Sequence, residues 1–141
     1  MNRNQVAALA ATIGAIVVVA MGFAVLGGPK RQRLVRTDLR AVQALSGLAQ
    51  QINAKWKAEG KTLPGNLDNF PEAVKKHPVT GAAFTYRQKS PQEYELCAKF
   101  MTDDRDMRGS ADDRWTHPKG DYCFSFDPAQ NVLSPLNYGN Y

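Results

Sequence analysis

From residue 4 to residue 29 the chain carries no ionisable side chain, and residues 6–28 inside that stretch form one apolar block of 23 residues. As a helix rising 1.5 Å per residue the block spans roughly 35 Å, against about 30 Å for a bilayer core. It is longer than the 7–15 apolar residues usual for a signal peptide core, and no small-x-small cleavage site precedes the charges that follow, so it reads as a transmembrane anchor. At most one small domain can be built from what remains of the 141 residues. The organisation expected is a tail over 1–5, a membrane helix over 6–28, a basic juxtamembrane linker over 29–36, a globular domain over 37–130 and a surface tail over 131–141. Ala7, Ala11, Gly14 and Ala15 recur on one side of the membrane helix, where small side chains let a second helix approach closely.

The formal charge of +5 is unevenly placed. Lys30, Arg31, Arg33, Arg36 and Arg40 cluster behind the apolar block, whereas residues 41–141 carry twelve bases against twelve acids. The basic balance therefore belongs to the membrane flank and not to a nucleic-acid-binding face, and no basic and aromatic residues interleave as a stacking platform. The same cluster bears on topology. The positive-inside rule, weighing it against Arg3, places the C-terminal domain in the cytoplasm. Exactly two cysteines, Cys97 and Cys123, point the other way, because that count suits one disulfide in an oxidising compartment; two unrelated buried thiols are the alternative.

Beyond Pro29, Val35, Leu39, Val42, Leu45, Leu48, Ala49, Ile52 and Trp56 recur at spacings of three and four, the stripe of an amphipathic helix. Thr37 or Asp38 could cap its start, or it begins near Lys30 as a near-continuation of the membrane helix. Gly60 ends it, and a helical turn is expected over 67–75. Residues 84–89 and 93–100 read as a hairpin turning at Ser90, Pro91 and Gln92, with Tyr94, Leu96, Ala98 and Phe100 on one face. A polar loop over 101–122 and a short strand over 123–126 follow. Both cysteines fall opposite their strands' apolar face, so a bridge between them would pin the ends of the long loop.

Chemistry for catalysis is sparse. His77 and His117 have no ligand-like spacing, and zinc would require both to converge with both cysteines; surface histidines beside a disulfide are the simpler reading. No Gly-x-Ser-x-Gly elbow, phosphate loop or dinucleotide glycine pattern is present, so we expect no enzyme, cofactor or small-molecule substrate. Glu93 and Glu95 alternate as solvent-face charges do. Asp103, Asp104, Asp106, Asp112 and Asp113 could supply oxygen ligands to Ca2+, but Arg105, Arg108 and Arg114 interleave with them and a solvated loop is expected. Trp56 falls on the helix stripe as core, and Trp115 stands where it can close the long loop on the sheet.

An apolar N-terminal helix, an amphipathic helix behind it and a small antiparallel sheet resemble type IV pilins and type II secretion pseudopilins. Gly60, Lys61, Leu63, Pro64 and Leu67 resemble that family's Gly-x-x-x-Pro-x-x-Leu passage, and Pro78, Thr80, Gly81, Phe84 and Tyr86 its Asp-Pro-x-Gly-x-Pro-Tyr-x-Tyr segment. Tyr94, Leu96, Cys97, Ala98 and Phe100, with Cys123 and Phe124, look like strands of its disulfide-bearing members. The chain departs from the family in having no glycine before a Phe-Thr-Leu-Ile-Glu run and no glutamate in the apolar helix. The resemblance implies an α+β domain placed outside the cytoplasm, in the bacterial inner-membrane setting, with the bilayer and other membrane or pilin-like subunits as partners. The rival expectations are an accessory single-span subunit of an unrelated membrane complex, and a cytoplasm-facing binder of lipid headgroups through Lys30, Arg31, Arg33, Arg36 and Arg40.

Overall fold

The structure, a computed structural model, describes residues 2–26, 28–104, 113–130 and 135. It divides into two compact units, Met1–Arg33 and Leu34–Tyr141. The first holds helix α1, Arg3–Leu26, and the opening turn of helix α2, Pro29–Ala58, which continues into the second. Residues 29–36, the basic linker of the sequence reading, are thus helical. Pro29 suits that start, since its fixed φ fits a first helical turn and its missing N–H would have no partner there.

In the second unit, α2 is followed by strands β1 (Thr85–Ser90), β2 (Glu93–Phe100) and β3 (Gly120–Phe126), forming an antiparallel sheet in that order. This is an α+β fold. Alternation along β2 sends Tyr94, Leu96, Ala98 and Phe100 inward, where they join Phe124 and Phe126 of β3 and Leu45, Leu48, Ile52 and Trp56 of α2 in one buried cluster. Trp115 packs its ring, tilted, with its centroid 5.0 Å from that of Phe124 and 5.7 Å from that of Phe126, closing the long loop on the sheet as expected.

Three local readings need correction. The buried face of α2 runs back from Leu45 through Ala41 to Asp38, while Leu39 is 40% exposed. Stepping back from Leu45 by four and three residues keeps to one side of the helix, and Leu39 lies off that line. β3 begins at Gly120, three residues before the expected start, because Gly120, Asp121 and Tyr122 pair with Phe100, Lys99 and Ala98 although they show no apolar alternation. The helical turn sought over 67–75 is reduced to a 3-10 turn, Glu72–Val74, flanked by ion pairs from Glu72 to Lys75 and Lys76.

Asp38 is the least expected member of the core. It is 2% exposed inside α2, and its carboxylate accepts hydrogen bonds from Met101 N at 2.8 Å, Thr102 N at 2.7 Å and Thr102 Oγ1 at 2.6 Å. Instead of capping its own helix it satisfies the backbone where β2 ends. Nearer the other end of β2, Tyr94 Oη donates to Asn53 Oδ1 at 3.0 Å, and on β1 Tyr86 Oη donates to the Pro64 carbonyl at 2.7 Å.

These contacts generate two expectations, both read by denaturant unfolding of the full chain in detergent with tryptophan fluorescence. Asp38→Ala leaves two N–H groups without their acceptor and lowers stability by about 2–3 kcal/mol, whereas Asp38→Asn, which keeps one acceptor, costs less. Equal, negligible losses would show the carboxylate to be dispensable. The second expectation concerns alkaline pH. Burial pushes the Tyr86 phenol up to about 12 and the Tyr94 phenol higher still. An unfolded tyrosine titrates near pH 10, so above that pH the unfolded chain releases protons that the folded chain retains. Their contribution to stability is complete below pH 10 and declines as pH rises through 12. Tyr86→Phe should flatten the decline between those values.

Candidate functional site

Helix α1 is the first candidate element. Over Arg3–Gly22 it is long and apolar enough to cross a membrane, the dimensions shared by an anchor and by a signal sequence. Leu9, Ile13, Ile16 and Val18 are exposed along it. Ala7, Ala11, Gly14 and Ala15 are likewise exposed, and a Cβ added at Gly14 would meet no atom within 4 Å. Lys30, Arg31, Arg33 and Arg36 lie exposed on the first two turns of α2, in the solvated arrangement that their hydration favours.

The second element is the sheet face turned away from the core. Cys97 and Cys123 stand directly opposite each other in the β2 and β3 register and are joined by a disulfide with an S–S distance of 2.07 Å. The bridge rules out a thiolate metal site, although Glu95 lies close to both sulfurs. Arg87 of β1 reaches over the bridge, with its Nη2 3.9 Å from Cys97 Sγ and 3.8 Å from Cys123 Sγ. Glu95 is paired opposite Arg87 in the ladder, yet its carboxylate takes Lys89 Nζ at 3.2 Å and Ser125 Oγ at 3.4 Å. Glu93 also takes Lys89, at 3.5 Å, so the two glutamates serve as ion-pair partners on this face.

Beside the bridge is a half-open cavity of about 460 Å3. It is lined by the disulfide with Thr85, Arg87, Lys99 and Asp121 of the sheet and by residues 82–84 with His77. That second set is held by a tight turn. His77 N donates to the Ala82 carbonyl at 2.8 Å, Gly81 N donates back to the His77 carbonyl at 2.9 Å, and Gly81 takes a φ of +71°, which a side chain would resist. His77 Nδ1 accepts from Val79 N at 3.0 Å and Thr80 N at 3.3 Å. With Nδ1 accepting, the proton of the neutral ring sits on Nε2, which is buried and has no hydrogen-bond partner among the described residues.

The expectation of surface histidines is overturned. His77 is 4% and His117 1% exposed. His117 stacks on Phe100 with centroids 3.8 Å apart, its N–H donates to Asp104 Oδ1 at 2.8 Å, and Asp104 N returns a bond to the His117 carbonyl at 3.2 Å. His77 binds its own turn through Nδ1, and His117 is tied to the Asp104 segment through its backbone. Asp104 thereby serves the loop internally. Asp106, Asp112, Arg105, Arg108 and, but for Pro135, the tail over 131–141 lie outside the described residues, so the calcium reading and the tail reading rest on the sequence alone.

The cavity was not anticipated from sequence. A basic residue in β1 facing the two cysteines was its one available signal, and the rest of its lining comes from a turn whose placement depends on the Lys76 to Ala83 bridge. Comparison of the chain with family models, with curated proteins and with solved structures finds no match.

The bridge closes a loop with a sequence separation of 26 residues. In the chain-entropy account such closure stabilises by about 3.5 kcal/mol. Reduction, or Cys97→Ser with Cys123→Ser, should lower the unfolding free energy by roughly 2–4 kcal/mol. Alkylation of both sulfurs in the untreated protein without denaturant would show instead that the bridge does not form.

Proposed function

We propose that this chain is a single-span, membrane-anchored structural or assembly component whose pilin-like α+β domain lies outside the cytoplasm of the inner membrane. The observation that carries the reading is a disulfide in a domain that follows a helix of membrane-spanning length. A cystine persists in an oxidising compartment, and a chain that crosses the bilayer once can place its C-terminal domain there. Support also comes from the order of parts, an apolar helix, then an amphipathic helix laid on an antiparallel sheet, which is the arrangement behind the pilin and pseudopilin resemblance. In this reading α1 packs with other membrane helices along Ala7, Ala11, Gly14 and Ala15, and the sheet presents its outer face to a partner.

One observation favours a second reading. Lys30, Arg31, Arg33 and Arg36 follow the apolar helix, and by the positive-inside rule they hold that end in the cytoplasm, where they would meet anionic headgroups.

Fusions at Tyr141 separate the two. A reporter active only outside the cytoplasm should work, and a protein fluorescent only inside it should stay dark; the reverse result removes the pilin-like reading. In the same cells, Gly14→Leu should leave insertion intact, since leucine is favourable in lipid, and abolish cross-links formed through α1. Unchanged cross-links would make α1 a tether alone.

A further inference from the structure

The covalent bond on the outer face of the sheet is also an electrophile, since thiolates attack a disulfide sulfur wherever they can reach it. Cys97 and Cys123 both line the cavity of about 460 Å3. Cys97 is 8% exposed and Cys123 is half-buried, so Cys123 Sγ is the more open of the two sulfurs. A thiol entering the cavity meets the bond without the strands having to part.

The folded strands do not need the bond to stay together. β2 and β3 are paired from Tyr94 opposite Phe126 to Phe100 opposite Gly120, and the two cysteines sit in the middle of that ladder. Beneath them Leu96, Phe100, Phe124 and Phe126 are packed in the core. In the chain-entropy account a bridge stabilises by closing a loop of the unfolded chain. Opening it therefore leaves the ladder in place, with the two sulfurs still opposite each other and set to rejoin.

The charges beside the bridge bear on how fast it opens. Arg87 Nη2 lies 3.9 Å from Cys97 Sγ and 3.8 Å from Cys123 Sγ. When the bond breaks, one sulfur leaves as a thiolate, and an N–H of a guanidinium already beside it stabilises that charge as it forms. Glu95 acts in the opposite sense. Its carboxylate lies within 4.8 Å of both sulfurs, although it is also engaged by Lys89 and Ser125. Cations and anions on this face balance, so charge selects no occupant for the cavity. What reacts there is set by the disulfide itself, whose reaction partner is a thiol.

We propose that the Cys97–Cys123 cystine is an exchangeable dithiol–disulfide couple that oxidises thiols entering the cavity, with Cys123 as the attacked sulfur and Cys97 as the leaving one. A thiolate forms a mixed disulfide with Cys123 Sγ as the Cys97–Cys123 bond breaks. The electron pair of that bond leaves on Cys97 Sγ, which Arg87 stabilises until it takes a proton from water. A second thiolate then attacks the substrate sulfur of the mixed disulfide, giving the substrate disulfide and a Cys123 thiolate that is protonated in turn. Two thiols lose two electrons and two protons, and the cystine gains both. A disulfide of the same class returns the dithiol to the cystine by the reverse steps. This activity goes beyond the assembly role and does not depend on it.

The test is reduction of the full chain in micelles at neutral pH by glutathione and, separately, by acetyl-Ala-Cys-Leu-amide, quenched with acid and read by alkylation and intact mass. The rate should rise linearly with thiolate and ignore urea below the unfolding transition, and the reduced chain should keep its native tryptophan fluorescence. A rate that levels off with thiol, or climbs steeply in low urea, would show that the bond reacts only in an unfolded chain and overturns the proposal. Cys97→Ser, given glutathione disulfide, should form the mixed disulfide at Cys123 at least about tenfold faster than Cys123→Ser forms it at Cys97. Equal rates overturn the assignment of the attacked sulfur. In chains that keep both cysteines, Arg87→Gln should slow reduction roughly threefold and Glu95→Gln speed it by a similar factor, with Lys57→Gln on α2 unchanged. Changes of the same sign at Arg87 and Glu95 overturn the role given to these charges. The faster of the two thiols identifies the natural source as a small thiol or a polypeptide cysteine. Failure of both on the folded chain ends the proposal and leaves the Tyr141 fusions and the Gly14 cross-links to be judged by themselves.

Discussion

One face of α2 has to be covered, and the strands are arranged around that need. Leu45, Leu48, Ile52 and Trp56 present more apolar surface than a lone helix can leave in water. A three-stranded sheet whose inner face carries Tyr94, Leu96, Phe100, Phe124 and Phe126 removes that surface, and neither layer is stable without the other. The polar groups drawn into the same interface are satisfied across it, Asn53 by Tyr94 and the backbone after Phe100 by Asp38. Those bonds act as a register mark, since sliding the helix by one turn would bury a carboxylate without its donors.

Because strand alternation commits one face to the core, the other face is free for different chemistry. There the sheet carries a cystine, an ion-pair cluster around Lys89 and the cavity beside Arg87. The disulfide links β2 to β3 on the side where no apolar layer holds them, so the two strands are secured by packing beneath and by a covalent bond above. Arg87 turns that bond into part of a surface feature by resting on its sulfurs.

Loop residues complete the domain by internal hydrogen bonding. His77 organises the turn that lines the cavity, and the Asp104 and His117 pair closes the ends of the long loop beneath Trp115. These groups occupy positions where catalytic or metal-binding side chains are often sought, yet their donors and acceptors are largely engaged by backbone. A helix long enough and apolar enough to cross a membrane, followed by a domain that carries a cystine on the outer face of its sheet, is the physical basis of the assembly role proposed above.

Residue order alone determined the elements whose signal is local and periodic. The length of the apolar block, the stripe along α2, the 93–100 alternation and the placement of both cysteines opposite the apolar face of their strands were all legible, because hydrophobic period reports secondary structure without a partner. The elements that depend on a partner were decided only in the tertiary structure. Gly120, Asp121 and Tyr122 are strand because β2 extends alongside them, Asp38 is buried because the end of β2 lies over it, and the histidines are internal because loops fold back on the sheet. The cavity belongs to this second class. Arg87 comes from β1, Lys99 and Cys97 from β2 and Cys123 from the distant β3, and only the pairing register sets Arg87 beside the cystine.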